Sequence, residues 1–94
     1  MNLRKEAKGR PCMVRIPAVC NHNSETTVLA HVRLAGVSGI GMKSDDALGA
    51  WACSDCHDAI DRRNHAYLEH DFVRLAHLEG MVRTIAQLRK EGKL

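Results

Sequence analysis

Large flat side chains are almost missing from these 94 residues: Trp51, Tyr67 and Phe72 are the only three. Such side chains ordinarily dominate core energetics. Aliphatic residues must therefore do most of the burying, and a chain this short buries too modest a share of its surface to rely on them alone. A second source of stability is expected, above all in the N-terminal half. Long apolar runs are missing as well. Nothing approaches the ~20 consecutive apolar residues that span a bilayer, so no membrane partner of that kind is expected. Met1 to Arg10 is polar and basic, without the apolar stretch of an export signal. These absences predict a cytoplasmic protein, in which thiols stay reduced. No repeat or low-complexity segment divides the chain, so residues 1–94 read as one domain.

What is present is a set of four cysteines, Cys12, Cys20, Cys53 and Cys56. Their even number permits two disulfides, yet in a reducing compartment metal binding outranks them. Cys53-Ser54-Asp55-Cys56 has knuckle spacing, which lets two thiolates reach one ion from a single turn. Cys12 and Cys20 are too far apart for a knuckle, but the ends of a bent hairpin containing Pro17 can converge. The expected product is a structural zinc held by four thiolates, with His22 and His57 as alternative ligands. Charge is uneven too. The net charge is +3, and Arg4, Lys5, Lys8, Arg10 and Arg15 stand against Glu6 alone in the first 20 residues. A basic arm before a nearly neutral body suits a polyanion, most simply nucleic acid, or else a solvated tail.

Residues 1–11 read as an irregular basic arm. Val14-Arg15-Ile16 is a short extended run that pairs as an antiparallel hairpin with a strand over 26–32, rich in β-branched residues. Gly36, Gly39 and Gly41 mark a loop from Ala35 to Met42. Ser44 is placed to cap a short helix whose apolar side is Ala47, Leu48, Ala50 and Trp51. A helix over 57–63 opens after the knuckle. A long C-terminal helix over 69–91 carries an apolar stripe of Phe72, Leu75, Leu78, Val82, Ile85 and Leu88. Val73, Ala76 and Met81 widen that stripe into a broad core face, or into a homodimer contact. The class is α+β: a zinc-stapled core over 12–63 with a long C-terminal helix.

Six histidines are many for this length. His65, His70 and His77 read as polar surface residues, and His22 sits in a turn. His31 lies on the strand. His57 follows a zinc cysteine, and Asp61 lies one helical turn later, so the two side chains face the same way and can share a divalent ion.

A hairpin histidine, then a loop, then a helix bearing histidine and carboxylate, all stapled by cysteines, resembles the HNH (ββα-metal, His-Me finger) nuclease superfamily. Ala30-His31-Val32 resembles its base motif, and Cys53-Ser54-Asp55-Cys56-His57 resembles its knuckle and metal ligand. The match runs in order from Cys12 to about Arg63. The resemblance implies a metal-dependent DNA endonuclease of prophage origin, serving recombination or junction processing. In it His31 activates water as general base, and His57 and Asp61 hold a catalytic Mg²⁺ or Mn²⁺. Arg10, Arg33, Arg62 and Arg63 contact DNA phosphates. Two positions depart from the pattern. Ala30 stands where many members carry a metal ligand, and no asparagine occurs between Asn23 and Asn64 to orient the base, so Asp45 or Asp46 must substitute. The alternative is a non-catalytic zinc-stabilised DNA-binding or recombination-accessory module; a protein-interaction module using the C-terminal helix is a third reading.

Overall fold

The computed structural model of the chain describes residues 2–34 and 45–94. Its elements run α1 (Leu3–Glu6), a 3₁₀ turn (Ser24–Thr26), β1 (Val28–His31), β2 (Gly49–Ala52), α2 (Ser54–Ile60) and α3 (His70–Lys90). The 35–42 loop and the Ser44 cap expected from the sequence lie outside the described residues.

The hairpin forms with a different partner from the one expected. β1 pairs antiparallel with β2, Leu29 opposite Trp51 and His31 opposite Gly49, and not with residues 14–16. Residues 49–52, expected as part of a helix, form a strand buried at every position. A short strand covered on both faces shows no alternation, so its apolar run looks the same as a buried helical turn. Gly49 is required there, because a Cβ would come within 2.8 Å of Leu29 Cδ1 and 3.3 Å of the Ala30 carbonyl oxygen.

Residues 12–20 form a curled loop. Arg15 (φ 55°) and Ala18 (φ 63°) both adopt left-handed backbone, costing on the order of 1 kcal/mol each for side chains with a Cβ. Extended pairing is impossible there, and the loop instead folds back through amides of Val19 and Cys20 donating to the Ile16 carbonyl.

The basic arm is ordered too. Asn2 caps α1, its side-chain oxygen accepting from the amides of Arg4 (3.0 Å) and Lys5 (3.3 Å). Ala7 is fully buried with Met13, Trp51 and Leu88. Arg10 sits 4.6 Å over the Trp51 ring and donates to Glu91 at 2.6 and 2.5 Å and to Glu6 at 3.1 Å. The two ends of the chain are thereby tied together.

α3 packs on β2 through Val73, His77, Gly80, Thr84 and Leu88. Half of the stripe expected as core therefore faces away from it: Phe72, Leu75 and Val82 are exposed, whereas Leu88 is buried. The Thr84 hydroxyl accepts from the Trp51 amide (3.0 Å) and donates to the Gly80 carbonyl (2.8 Å). It occupies an edge of β2 that would otherwise leave an amide unpaired. At Gly80 the helix comes so close that a Cβ would lie 2.9 Å from Val14 Cγ2 and 3.0 Å from Val14 Cα. The absence of a side chain at Gly80 is thus what lets α3 close on the 12–20 loop.

Candidate functional site

Cys53 and Cys56 are presented by the start of α2. Cys53 is its N-cap, its sulfur accepting from the Cys56 amide at 3.4 Å, so the helix begins inside the knuckle rather than after it. Cys12 and Cys20 arrive from the two ends of the curled loop. All four sulfurs lie within 4.8 Å of one another, with Cys20 and Cys53 3.9 Å apart. A tetrahedral site with metal–sulfur bonds of ~2.3 Å has sulfur–sulfur edges of about 3.8 Å. The thiols are free, and Cys12, Cys53 and Cys56 are buried, so the donor set fits a structural metal ion. Among the described residues it is the one group of three or more His, Cys, Asp or Glu side chains whose donor atoms converge this closely. Neither histidine alternative is needed: His22 Nδ1 lies 3.7 Å from Cys20 Sγ, and His57 turns to Asp61.

Without a metal, the crowded thiols divide their protons unequally. A hydrogen bond from the Cys56 thiol lowers Cys12 to about 4, assisted by the Arg15 amide. Burial pushes Cys20 up to about 11, and Cys56 is pushed upward as donor to Cys12. Metal binding has to displace the remaining protons, so affinity rises with pH.

Beside this cluster, β1, α2 and α3 enclose a cavity of about 190 Å³ whose lining includes His31, Arg33, His57, Asp61, Arg74 and His77. The strand histidine and the helix pair singled out from sequence therefore share one cavity. His57 Nε2 is 3.3 Å from Asp61 Oδ2. His31 Nε2 is 2.6 Å from Asp46 Oδ1, which also accepts from Arg4 Nε at 3.2 Å. The His31 bond, with Arg4 adding to it, holds the Asp46 carboxyl below its ordinary value. An ionised carboxylate accepts only, so His31 Nε2 is the donor in this bond. Of the two aspartates expected to stand in for the missing asparagine, Asp46 is the one that bonds His31.

His77 departs from expectation. Placed on the surface by its sequence, it is 4% exposed, and its Nε2–H donates to the Ala30 carbonyl at 2.8 Å. Burial pushes its pKa down, keeping the ring neutral. Arg74, which no motif in the sequence marks, lines the same cavity and donates through both Nη atoms to the Arg33 carbonyl, each at 3.2 Å. The signal that locates both residues is their place on α3, legible only once the buried face is known.

The four arginines assigned to DNA divide. Arg33 lines the cavity. Arg63 lies at its edge, 3.2 Å from both Asp58 and Asp61. Arg62 turns inward, donating to the carbonyls of Ala66 (2.7 Å) and Leu68 (2.9 Å), and Arg10 is held by Glu91 and Glu6. Geometry thus gives Arg62 and Arg10 structural partners in place of an open face.

The family model described as "Putative nuclease YbcO" matches residues 1–93. The chain belongs to the YbcO family. It is 53% identical over 91 residues to "Putative nuclease YbcO" of Escherichia coli (strain K12), covering 97% of this chain and 94% of that protein. The YbcO protein of Enterobacteria phage 82 matches with the same identity and coverage. A solved structure of "a putative bacteriophage protein" from Escherichia coli str. K-12 substr. MG1655 superposes with a TM-score of 0.82 at 47% identity, covering 97% of this chain and 100% of that one. Among the described residues, no helix is long and apolar enough to cross a membrane.

Proposed function

We propose that this YbcO-family chain is a metal-dependent DNA endonuclease of the HNH (ββα-metal) type. The observation that carries the reading is the meeting of His31, His57 and Asp61 in one cavity. The order β1, β2, α2 and the names of the relatives support it. His31, oriented by Asp46 through Nε2, takes a proton from water at Nδ1; the resulting hydroxide attacks the phosphorus of a phosphodiester as the bond to the leaving sugar oxygen breaks, and that oxygen takes up a proton from solvent. His57 and Asp61 would hold a Mg²⁺ or Mn²⁺ ion, which when bound supplies positive charge to the phosphate and its leaving oxygen. Arg33 in the cavity and Arg63 at its edge neutralise neighbouring phosphates. Zinc on Cys12, Cys20, Cys53 and Cys56 is the scaffold that holds α2 against the loop. The cytoplasm suits four reduced thiols, and recombination is a process in which a prophage enzyme of this kind would act. The exposed Phe72, Leu75 and Val82 on α3 suit a homodimer contact.

A specific observation favours a second reading, a zinc-stabilised DNA-binding accessory module without chemistry. Among the described residues no third metal-binding side chain converges with His57 and Asp61, and Ala30 offers none. Incubation with DNA decides between them. Protein carrying zinc is expected to nick supercoiled plasmid when Mg²⁺ or Mn²⁺ is added. Binding without nicking of plasmid, branched or single-stranded DNA overturns the enzyme and leaves the accessory module.

A further inference from the structure

α1 and the segment that leads into β1 enclose a groove that the chemistry above leaves unused. Its volume is about 450 Å³, and it is walled by Arg4, Lys5 and Lys8 from the arm and by Glu25, Val28 and Leu29 from the facing segment. The groove reaches His31, which lines the catalytic cavity as well. Leu29 and His31 thus wall both the groove and the cavity. Arg4 strengthens the junction, since its guanidinium binds the same Asp46 oxygen that holds His31.

The cations of the groove are not all spent on the fold, as Arg10 is on Glu91 and Lys93 on Glu6. Lys5 and Lys8 are exposed, and among the described residues neither has a carboxylate at ion-pair distance. Three cations line the groove against the single carboxylate of Glu25. An unpaired ammonium on a four-carbon stem is a mobile point charge, suited to following a phosphate chain. The floor also offers apolar surface: Val28 is 41% exposed. A polymer that alternates anionic phosphates with less polar sugars matches that lining better than a free anion does.

We infer that the groove holds the backbone of the DNA strand whose scissile phosphate enters the cavity, with Lys5 and Lys8 each neutralising a phosphate. The identity of the polymer rests on the nuclease reading; the groove and its charges do not. The exposed lysines of the arm then have a place to act, and the path of the strand follows: along α1, past Val28, to His31.

Salt-dependent binding tests this without relying on cleavage. Anisotropy is measured on labelled single-stranded and duplex oligonucleotides, with zinc-loaded protein and no added Mg²⁺ or Mn²⁺. Two lost phosphate contacts flatten the slope of log affinity against log salt by about 1.4 on single strands and about 1.8 on duplex. That loss is expected for Lys5→Ala/Lys8→Ala, with the wild-type slope retained by Lys5→Arg/Lys8→Arg. An unchanged slope in the alanine variant overturns the groove assignment, as does a wild type that binds no DNA. If the wild type binds with a lysine-dependent slope but never nicks, the nuclease reading falls and the groove stands. Normal nicking beside an unchanged slope removes the groove and leaves the nuclease standing.

Discussion

One oxygen of Asp46 joins two parts of the chain: it accepts from His31 at 2.6 Å and from Arg4 at 3.2 Å. A carboxylate in that position fixes which ring nitrogen of His31 is free for water. Groups that orient an active residue from behind are typically worth 10–100-fold when removed. Asp46→Asn is therefore expected to slow divalent-dependent nicking about 10–100-fold while leaving zinc content and melting temperature unchanged. Glu91 makes a different prediction, about stability. Hydrogen bonds from Arg10, with Gln87 assisting, hold its carboxyl at about 2 against an ordinary 4.5. A depressed folded pKa stabilises the protein above the ordinary value, and that contribution is lost as pH falls from 4.5 towards 2. Glu91→Gln should lower the melting temperature at neutral pH and make it fall less steeply over that acid range. Equal steepness in the two proteins would remove Arg10–Glu91 as the latch between the chain ends.

At the scale of elements, α3 decides most of the packing, and its buried face is built from small and polar residues. Two effects compete at Gly80. Alanine gains about 1 kcal/mol of helix propensity, but its Cβ would sit 3.0 Å from the Val14 Cα and 3.1 Å from the Met13 carbonyl oxygen. Backbone cannot step aside as a side-chain tip can, and overpacking typically costs about 1–3 kcal/mol. Gly80→Ala should therefore melt lower than wild type by calorimetry; a higher melting temperature would show that the helix has room to shift. The opposite face predicts tolerance. Leu75 is 57% exposed, so Leu75→Glu should change stability by less than about 0.5 kcal/mol, and it should split any dimer that forms on α3. This element also shows how far the sequence could be read. Apolar periodicity locates the helix within one residue at each end but only part of its buried face, because Gly80 lies against Val14 and Met13 and Thr84 against the Trp51 amide, where small or polar residues fit and bulk does not. β2 itself was hidden, since Gly49-Ala50-Trp51-Ala52 is buried on both sides and alternates nothing. The knuckle was legible because a two-residue spacing has a direct geometric meaning. The convergence of Cys12 and Cys20 across the bend at Pro17 is legible as well, but the curled backbone that achieves it is not, because Arg15 and Ala18 adopt left-handed conformations without being glycine.

For the whole molecule, the four cysteines join the 12–20 loop to α2, two segments that also share one core cluster. The 12–20 loop carries Val14, Ile16 and Val19 into the core, while α2 is only seven residues long. Structural zinc contributes about 10–16 kcal/mol of apparent binding energy, as much as the ~5–15 kcal/mol that holds a typical domain together. A strong chelator should therefore release one zinc per chain and unfold the protein, with the change in Trp51 fluorescence following zinc release. Retained melting behaviour after zinc removal would reduce the cluster to an accessory. The same staple sets α2 beside β1, so that His57 and Asp61 share the cavity with His31. The central claim is that this meeting performs phosphodiester hydrolysis. It is tested most directly by plasmid nicking with Mg²⁺ or Mn²⁺, comparing wild type and His31→Ala at matched zinc content and melting temperature. General-base catalysis is worth about 10²–10⁴-fold, so nicking by the variant should fall by at least about 100-fold. Cleavage by His31→Ala at the wild-type rate would contradict the account.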